Sequence, residues 1–225
     1  MIEIKNLVKT FKDGDVVTPV LRGIDFTLKN GEFVVIMGRS GSGKSTFLYQ
    51  MSLLDEPTSG QIIIEGHDAK DMKPEEKILF RLQKCGYVFQ DYALLPELTA
   101  LENVVLPSLM QSINAKKAYA TAKESLAKVG LSHRLRNIPS HLSGGEQQRV
   151  SVARAIAHKP KILFADEPTA NLDNESSKAI IDIFRELHKE GQTIIMVTHE
   201  EQYARMAQKI IKIDDGKIIS VTKNM

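Results

Sequence analysis

A glycine-rich octet at residues 38–45 decides how this chain folds, and it reads Gly38-Arg39-Ser40-Gly41-Ser42-Gly43-Lys44-Ser45. An apolar run at residues 33–37 precedes it, and a stretch of helical character at residues 46–54 follows it. Glycines let backbone N–H groups point inward around an anion, and the helix N-terminus adds its positive dipole end. The pattern predicts a phosphate-binding loop, with Lys44 at the β- and γ-phosphates of a nucleotide and the Ser45 hydroxyl as a ligand of Mg²⁺.

Two carboxylates end another apolar run, at residues 161–165, and they are Asp166 and Glu167. By themselves they are equally compatible with a turn before Pro168. Ligands of parallel sheets bind beyond the carboxyl ends of the strands, which is also where the glycine loop begins. We therefore expect Asp166 to hold Mg²⁺ and Glu167 to orient and deprotonate an attacking water. His199 ends a third such run, and we expect it to contact the γ-phosphate, although a lone histidine there is often structural.

Strands alternate with helices along the chain, which indicates a mostly parallel sheet covered on both faces. Between residues 91 and 159 the pattern becomes helical, and Asn114 and Gly130 are typical of the start and end of one helix. Asp215-Gly216 predicts a hairpin turn. Short apolar runs predict strands at residues 2–8, 32–37, 61–65, 85–89, 161–165, 193–197 and 209–213.

Composition places the chain among ordinary globular proteins. Hydrophobic residues make up 42% and charged residues 26% of 225 residues, which suits one large domain. The single cysteine, Cys85, excludes an internal disulfide and a cysteine-built metal site. No apolar run approaches the ~20 residues of a membrane helix, and the N-terminus lacks the pattern of a signal peptide. We therefore expect a cytoplasmic protein.

One further motif decides the family, and it reads Leu142-Ser143-Gly144-Gly145-Glu146-Gln147-Gln148-Arg149. Ser143 and Glu146 fit a helix capping box. That box does not account for Gly144 and Gly145, because a glycine in a helix costs up to ~1 kcal/mol relative to alanine. Bare backbone there suggests that another group approaches closely. The octet resembles the signature motif of ATP-binding-cassette (ABC) nucleotide-binding subunits, and the resemblance covers essentially the whole chain.

The resemblance implies roles for residues motif by motif. Residues 38–45 match Walker A and residues 162–166 match Walker B, while Gln90, Asp173 and His199 match the glutamine of the Q-loop, the aspartate of the D-loop and the switch histidine. The implied catalytic residues are Lys44, Gln90, Glu167 and His199. The implied Mg²⁺ ligands are Ser45, Gln90 and Asp166. The implied nucleotide-binding residues are Phe11, Gly38, Arg39, Ser40, Gly41, Ser42, Gly43, Lys44, Ser45 and Thr46. The implied signature residues are Leu142, Ser143, Gly144, Gly145 and Glu146.

Two of these assignments have alternatives. Phe11 lies where the family often has a tyrosine that stacks on adenine, but it is also compatible with a packed core residue. Asp173 is expected to arrange a dimer contact, and it can at the same time cap a helix that starts at Asn174. Arg39 departs from the small residue or proline that is more usual there.

The family's architecture implies a fold and an assembly. The fold is α/β: a P-loop NTPase core with a mostly parallel sheet, an N-terminal antiparallel β subdomain and an inserted helical subdomain. Residues 1–225 form one nucleotide-binding domain, with the core at residues 1–90 and 160–225 and the helical subdomain at residues 91–159. In the ATP-bound state two copies form a head-to-tail homodimer, in which Ser143, Gly144 and Gly145 close on the γ-phosphate held by the partner's Lys44.

ATP and Mg²⁺ are the implied ligands, and an integral-membrane permease is the implied partner. Gln90 would link the γ-phosphate to the helical subdomain, and the surface around residues 91–101 would hold the permease. The chain would then lie on the inner face of the membrane and contact it only through that partner. Residues 53–60, 87–90 and 98–107 are similar to the subgroup that serves lipoprotein release, macrolide efflux and antimicrobial-peptide resistance.

Two other functions use the same motor. One is an ATP-gated regulator of a membrane complex that translocates nothing. The other is an ATPase that acts on nucleic acid or ribosomes, and its only support is the basic stretch 101–160, with nine Lys and Arg against three Glu. A solvated helical surface accounts for that stretch more simply, and such ATPases usually carry tandem cassettes or a long coiled-coil insertion. We therefore expect no nucleic-acid partner.

Overall fold

In the computed structural model, which describes residues 1–224, ten strands form two sheets and seven α-helices connect or cover them. The strands are Ile2–Asp13 (β1), Val16–Leu28 (β2), Phe33–Met37 (β3), Ser59–Ile64 (β4), His67–Asp68 (β5), Cys85–Val88 (β6), Ile162–Asp166 (β7), Thr193–Val197 (β8), Lys209–Asp214 (β9) and Lys217–Lys223 (β10). The helices are Lys44–Met51 (α1), Pro74–Lys84 (α2), Ala100–Met110 (α3), Ala115–Lys128 (α4), Gly144–Ile156 (α5), Asn174–Lys189 (α6) and Glu201–Ala204 (α7), with a 3₁₀ turn at Pro139–His141.

The larger sheet has six strands in the order β10-β9-β3-β8-β7-β6. Its inner pairs are all parallel, and only the β9–β10 hairpin is antiparallel, with its turn at Asp215 and Gly216 as predicted. The smaller sheet is antiparallel, in the order β2-β1-β4-β5. The mostly parallel core sheet and the N-terminal antiparallel sheet are therefore both confirmed.

The six-stranded sheet separates two hydrophobic cores, because successive side chains of a strand point to opposite faces. On β3, Phe33 and Val35 contribute to the core that α3, α4, α5 and α6 cover. Val34 and Ile36 contribute to the other core, which the antiparallel sheet and α1 cover. All four side chains are almost completely buried, which explains why the strand is a continuous apolar run.

The helical segment between β6 and β7 contains α3, α4 and α5. The Asn114 side chain caps α4 by accepting hydrogen bonds from the N–H groups of Lys116 and Lys117, and Gly130 adopts a φ of 76° just beyond the helix end. Both ends match the sequence prediction. Within residues 1–224, none of the helices has the length and hydrophobicity needed to cross a bilayer.

Some elements differ from the sequence prediction. Strand β1 continues to Asp13 rather than residue 8, and β2 and α2 were not predicted. The distal part of the β1–β2 hairpin is exposed and α2 has no buried residue, whereas Ile24, Phe26 and Leu28 at the end of β2 alternate with exposed residues as strand residues do. The helix predicted at residues 46–54 starts at Lys44 and ends at Met51, because Leu53 takes up a left-handed φ of 56°.

A buried asparagine fixes the connection that leads from β6 into α3. The Asn103 side chain accepts a hydrogen bond from the Leu95 N–H at 2.8 Å. Its amide donates to the carbonyl oxygens of Leu95, Leu98 and Thr99 at 3.0–3.1 Å. One side chain therefore satisfies four backbone groups of a segment that has no regular structure of its own.

Replacing Asn103 with leucine should reduce the free energy of unfolding by about 3 kcal/mol, because it leaves several backbone groups without partners in a buried place. Urea unfolding followed by circular dichroism measures this. Asn137→Leu is the matched control, since Asn137 is half-buried and no side-chain hydrogen bond of it is found in the part of the chain that the structure describes. Equal stability losses in the two variants would contradict the prediction.

Candidate nucleotide-binding and hydrolysis site

The carboxyl ends of four parallel strands lie level at one edge of the six-stranded sheet. Ile36 of β3 pairs with Val197 of β8, and Val197 pairs with Asp166 of β7. Ala165 of β7 in turn pairs with Val88 of β6. Every predicted phosphate-contacting group that follows a strand therefore leaves the sheet at the same edge, as parallel sheets generally arrange their ligand sites.

The glycine loop after β3 packs tightly against the rest of the protein. A Cβ on Gly38 would lie 2.2 Å from the carbonyl oxygen of Ile213. A Cβ on Gly43, which has a φ of 100°, would lie 2.9 Å from the carbonyl oxygen of Val20. Both positions therefore require glycine for close backbone approach as well as for loop conformation.

Two buried polar groups of the loop are hydrogen-bond donors that suit an anion. The Lys44 ammonium is almost completely buried and donates a hydrogen bond to the Arg39 carbonyl oxygen at 3.0 Å. The Ser42 hydroxyl is buried and has no hydrogen-bond partner within residues 1–224. Since buried polar groups are normally paired, an unpaired hydroxyl beside a buried lysine and a helix N-terminus fits a phosphate. Arg39, Ser40 and Gly41 are exposed on the outside of the loop, and Thr46 is half-buried in α1.

A serine and an aspartate meet beside the loop. The Ser45 hydroxyl donates a hydrogen bond to Asp166 Oδ1 at 2.9 Å. Burial raises the pKa of the Asp166 carboxyl. One turn further along α1, burial and the negative charge of Asp166 raise the pKa of Tyr49 to about 12. A carboxylate and a hydroxyl are hard oxygen donors, so this pair fits Mg²⁺.

Glu167 occupies the centre of the site. Its Oε1 lies 3.9 Å from Lys44 Nζ, and its Oε2 lies 3.3 Å from His199 Nδ1. Its backbone φ of 43° lies in the left-handed region, which is unfavourable for a residue with a side chain. The Glu167 N–H is held by the Val197 carbonyl oxygen at 3.0 Å. The surrounding structure therefore holds Glu167 in a strained backbone conformation, with its carboxylate between a lysine and a histidine and next to the glycine loop.

The motif at residues 142–149 starts α5, as its capping box predicts. Ser143 Oγ accepts from the Glu146 N–H, and Glu146 accepts from the Ser143 N–H at 2.9 Å and from Arg134 at 2.8 Å. The hydrogen bond from Ser143, with help from Arg134, lowers the pKa of Glu146. Leu142 is buried just before the cap. Within residues 1–224, no hydrogen bond or ion pair joins residues 142–146 to residues 38–46.

One of the two glycines of that motif is explained by packing inside the chain. A Cβ on Gly145 would lie 2.4 Å from the hydroxyl of Ser176 in α6, and a Cβ on Gly144 would lie 2.9 Å from the hydroxyl of Tyr92. Packing between α5 and α6 therefore explains Gly145 without an external group. The inference from sequence that bare backbone must face an approaching ligand is not needed at that position.

Gln90 and Asp173 lie at the margins of the site. Gln90 is exposed two residues after β6, and its carbonyl oxygen accepts a hydrogen bond from Asn171 Nδ2 at 3.1 Å. Asp173 caps α6 by accepting from the N–H and the hydroxyl of Ser176. These hydrogen bonds lower the pKa of Asp173. The helix-capping role foreseen for Asp173 is thus present in the single chain.

Phe11 lies on the exposed hairpin formed by β1 and β2. Its side chain is 47% exposed, so it is not a core residue. The Lys9 ammonium lies 4.8 Å from the centre of the Phe11 ring, and it also donates to Asp55 Oδ1 at 2.7 Å. Strand β2 of the same hairpin is the one that touches the glycine loop at Gly43. An aromatic face is therefore available on an element that adjoins the phosphate loop.

Sequence reasoning missed some groups at this edge of the sheet. Tyr49 faces Asp166 from α1, and its spacing of four residues from Ser45 is the signal that could have identified it. The buried Gln148 donates to the carbonyl oxygens of Pro168 at 2.8 Å and Phe89 at 3.3 Å, and so ties α5 to two of the loops that follow strands. Its contacts depend on the tertiary fold, and no sequence pattern signals them.

Comparison with known proteins agrees with this geometry. The sequence model of a family described as ABC transporter matches residues 21–170. LolD of Aquifex aeolicus, a lipoprotein-releasing system ATP-binding protein, is 46% identical over 89% of this chain and 89% of its own. MacB of Mannheimia succiniciproducens, a macrolide export ATP-binding/permease protein, is 45% identical over 99% of this chain but only 35% of its own.

A solved structure matches the whole fold. It is a dimer of the ATP-binding cassette MJ0796 in a post-hydrolysis state bound to ADP and Pi. Its TM-score with this chain is 0.93, at 38% sequence identity over 100% of this chain and 99% of that chain. The chain described here therefore belongs to the ABC transporter family, as an ATP-binding and ATP-hydrolysing protein close to the LolD and MacB ATPases.

Proposed function

We propose that this chain hydrolyses Mg²⁺-ATP at a site that two copies complete together, and that the closing dimer drives a separate membrane permease. The observation that carries the proposal is the composition of the single-chain site. Lys44, Asp166, Glu167 and His199 converge around the glycine loop, whereas no hydrogen bond or ion pair of residues 142–146 to that loop is found in the described part of the chain. A second copy, arranged head to tail, would supply the missing donors. The dimeric form of the MJ0796 cassette supports this arrangement.

Each part of the nucleotide has a proposed binding group. The adenine stacks on the exposed face of Phe11, and the phosphates lie in residues 38–46 with Lys44 at the β- and γ-phosphates. Ser45, Asp166 and Gln90 hold Mg²⁺, which when bound neutralises part of the phosphate charge. The hydroxyl of Ser42, which has no partner among the described residues, supplies a further donor to the phosphates.

In the proposed hydrolysis step, Glu167 acts as the general base. Glu167 accepts a proton from a water whose oxygen attacks the γ-phosphorus, and the bond from that phosphorus to the β–γ bridging oxygen breaks, releasing ADP and phosphate. His199, which lies within 3.3 Å of Glu167, orients the carboxylate and contacts the γ-phosphate. Ser143, Gly144 and Gly145 of the partner donate to the same phosphate from the N-terminus of α5. Asp173 arranges the contact between the two copies.

Glu167→Gln should bind ATP with unchanged affinity, lower kcat about 10²- to 10⁴-fold, and accumulate as a dimer only when ATP is present. The amide keeps the shape of the side chain but cannot accept the proton. Steady-state phosphate release and size-exclusion chromatography with and without ATP measure both effects. Glu124→Gln, an exposed change on α4, is the matched control. A Glu167→Gln variant that stays monomeric at saturating ATP would contradict the two-copy site.

Ser143→Arg should leave ATP binding by one chain intact and lower turnover at least about 100-fold, because it blocks the donors that the second copy supplies. ATP affinity is measured by calorimetry at low protein concentration, and turnover by phosphate release. Ser143→Thr, which preserves the helix cap, is the control for α5 itself. Wild-type turnover in Ser143→Arg would show that each chain hydrolyses ATP without its partner.

The relation to MacB supports a permease partner. That relative combines, in one chain about three times as long, an ATP-binding part similar to this protein and, by its name, a permease. We propose that here the permease is a separate chain of the lipoprotein-release or macrolide-export type. Through it the subunit would lie peripherally on the inner face of the membrane.

We further propose that residues 1–225 form one nucleotide-binding domain, with the catalytic core at residues 1–90 and 160–225 and a helical subdomain at residues 91–159.

An apolar groove beside the Q-loop, the segment at residues 89–93 that carries Gln90, suits a helix of that permease. Its apolar lining includes Leu54, Ile78, Leu82, Tyr87, Phe89 and Met110. Met110 is 63% exposed and Ile78 is 52% exposed, which is unusual for such side chains unless a partner covers them. Arg81 and Arg154 also line the groove, and no acidic residue does. A short amphipathic helix with an acidic end therefore complements it.

Met110→Glu should abolish association with the permease while leaving ATP-dependent dimerisation intact, because it places a charge in the apolar groove. A tagged chain is purified from solubilised membranes, and co-purifying proteins are identified by mass spectrometry. Tyr119→Glu, an exposed change on α4 outside the groove, is the control. The proposal fails if Met110→Glu recovers the same multispanning protein in the same amount as the wild type.

A further inference from the structure

The segment at residues 89–93, which carries Gln90, has a donor on each of its five carbonyl oxygens. The donors are Gln148 Nε2 for Phe89 at 3.3 Å, Asn171 Nδ2 for Gln90 at 3.1 Å, the Ala93 N–H for Asp91 at 2.7 Å, one Arg154 nitrogen for Tyr92 at 2.9 Å and the other for Ala93. Three of the five bonds come from side chains of α5. Hydrogen bonds from helix α5 therefore fix the backbone conformation of this segment.

Arg154 holds the strained end of the segment. Tyr92 has a φ of 63° and Ala93 a φ of 48°, two consecutive left-handed residues that are not glycine. Such a conformation is unfavourable and persists only where surrounding contacts impose it. The Arg154 guanidinium donates to both carbonyl oxygens at once, which its planar fork allows and a lysine would not.

Besides lining the apolar groove, the Arg154 guanidinium directs its hydrogen bonds mainly to this segment. Within residues 1–224 no carboxylate lies within salt-bridge distance of it, so its hydrogen-bonding partners are the two carbonyl oxygens and the Ser151 hydroxyl at 3.4 Å. Burial lowers the pKa of the guanidinium, which shows that the surroundings do not favour its charge. A half-buried cation directed at loop carbonyls, rather than at an acid, indicates that it stabilises the loop conformation.

Helix α5 also contacts the segment near its first residue. The Tyr92 hydroxyl lies where a Cβ on Gly144 would be only 2.9 Å away. The helix therefore touches Tyr92 twice, with the signature glycine at its beginning and with Arg154 three turns later. Arg154 lines the apolar groove as well. The same side chain thus meets the Q-loop and the surface on which the permease is proposed to dock.

We propose that Arg154 is a positioning residue for hydrolysis: it imposes the left-handed conformation at Tyr92 and Ala93 and thereby holds Gln90 in register with the nucleotide. This inference rests on the role of Gln90 in the proposed function. Arg154 touches neither nucleotide nor reacting water, so it acts on turnover only through the loop. ATP affinity depends on residues 38–46 and is independent of it.

Arg154→Met keeps the long side chain but removes both donors, and Arg154→Lys keeps the charge but cannot serve both carbonyl oxygens. Both should lower kcat, Arg154→Met by about 10- to 100-fold and Arg154→Lys by less, while KM for ATP stays within about twofold. Arg136→Met removes an exposed guanidinium from the same helical segment and should leave kcat unchanged. Equal losses in kcat and in ATP affinity, or an unchanged kcat, would overturn the proposal.

A stability control separates positioning from loss of folding. Leu126→Ala removes a fully buried side chain of α4 away from the Q-loop. It should lower the melting temperature at least as much as Arg154→Met does, yet leave kcat per folded molecule unchanged. If Leu126→Ala lowers kcat to the same extent at the same loss of melting temperature, Arg154 is merely structural and the proposal is wrong.

A double-mutant cycle with Gln90→Ala gives the decisive result. If Arg154 acts through Gln90, Arg154→Met should reduce kcat no further in the Gln90→Ala background. Additive effects, with Gln90→Ala alone reducing kcat, would overturn this inference and leave the proposed function standing. A Gln90→Ala variant with wild-type kcat would instead remove Gln90 from the proposed function, and this inference would fall with it.

Discussion

The level parallel pairing of β3, β8, β7 and β6 is the constraint on which the rest of the structure depends. Because the four strands end at one edge, the glycine loop, the acidic pair and His199 start from neighbouring points. These groups are far apart in the sequence, and only the strand pairing places them close together. A shift in one strand pairing would move Glu167 away from Lys44 and His199, whose contacts with it are only 3.9 and 3.3 Å long.

Close approach between secondary-structure elements is a second recurring feature of the fold, and glycines allow it at several contacts. Gly43 lets the phosphate loop touch β2, and Gly86 lets β6 approach α5, where a Cβ would lie 2.2 Å from the Ala155 carbonyl oxygen. Gly145 does the same between α5 and α6. A residue type that is typical of ligand contact thus serves first to bring elements of this chain together.

Helix α5 connects the parts of the proposed mechanism. Its N-terminus presents Ser143 and the two glycines, its middle ties Phe89 and Pro168 through Gln148, and its last turns hold the Q-loop through Arg154. The same helix therefore contacts each of these points directly. The groove proposed to hold the permease lies against the same helix.

The sequence by itself determined the family, the mostly parallel sheet, the phosphate loop and the caps at Asn114, Ser143 and Asp173, because these depend on local patterns of glycine, charge and periodicity. It did not reveal β2, although Ile24, Phe26 and Leu28 alternate there with exposed residues, and it did not reveal α2, which buries none of its residues. Only the tertiary structure decided why Gly145 is a glycine, where Tyr49 points and what Arg154 holds. Those facts depend on which distant backbone atoms meet a side chain, and that is decided by packing between elements rather than by spacing along the chain.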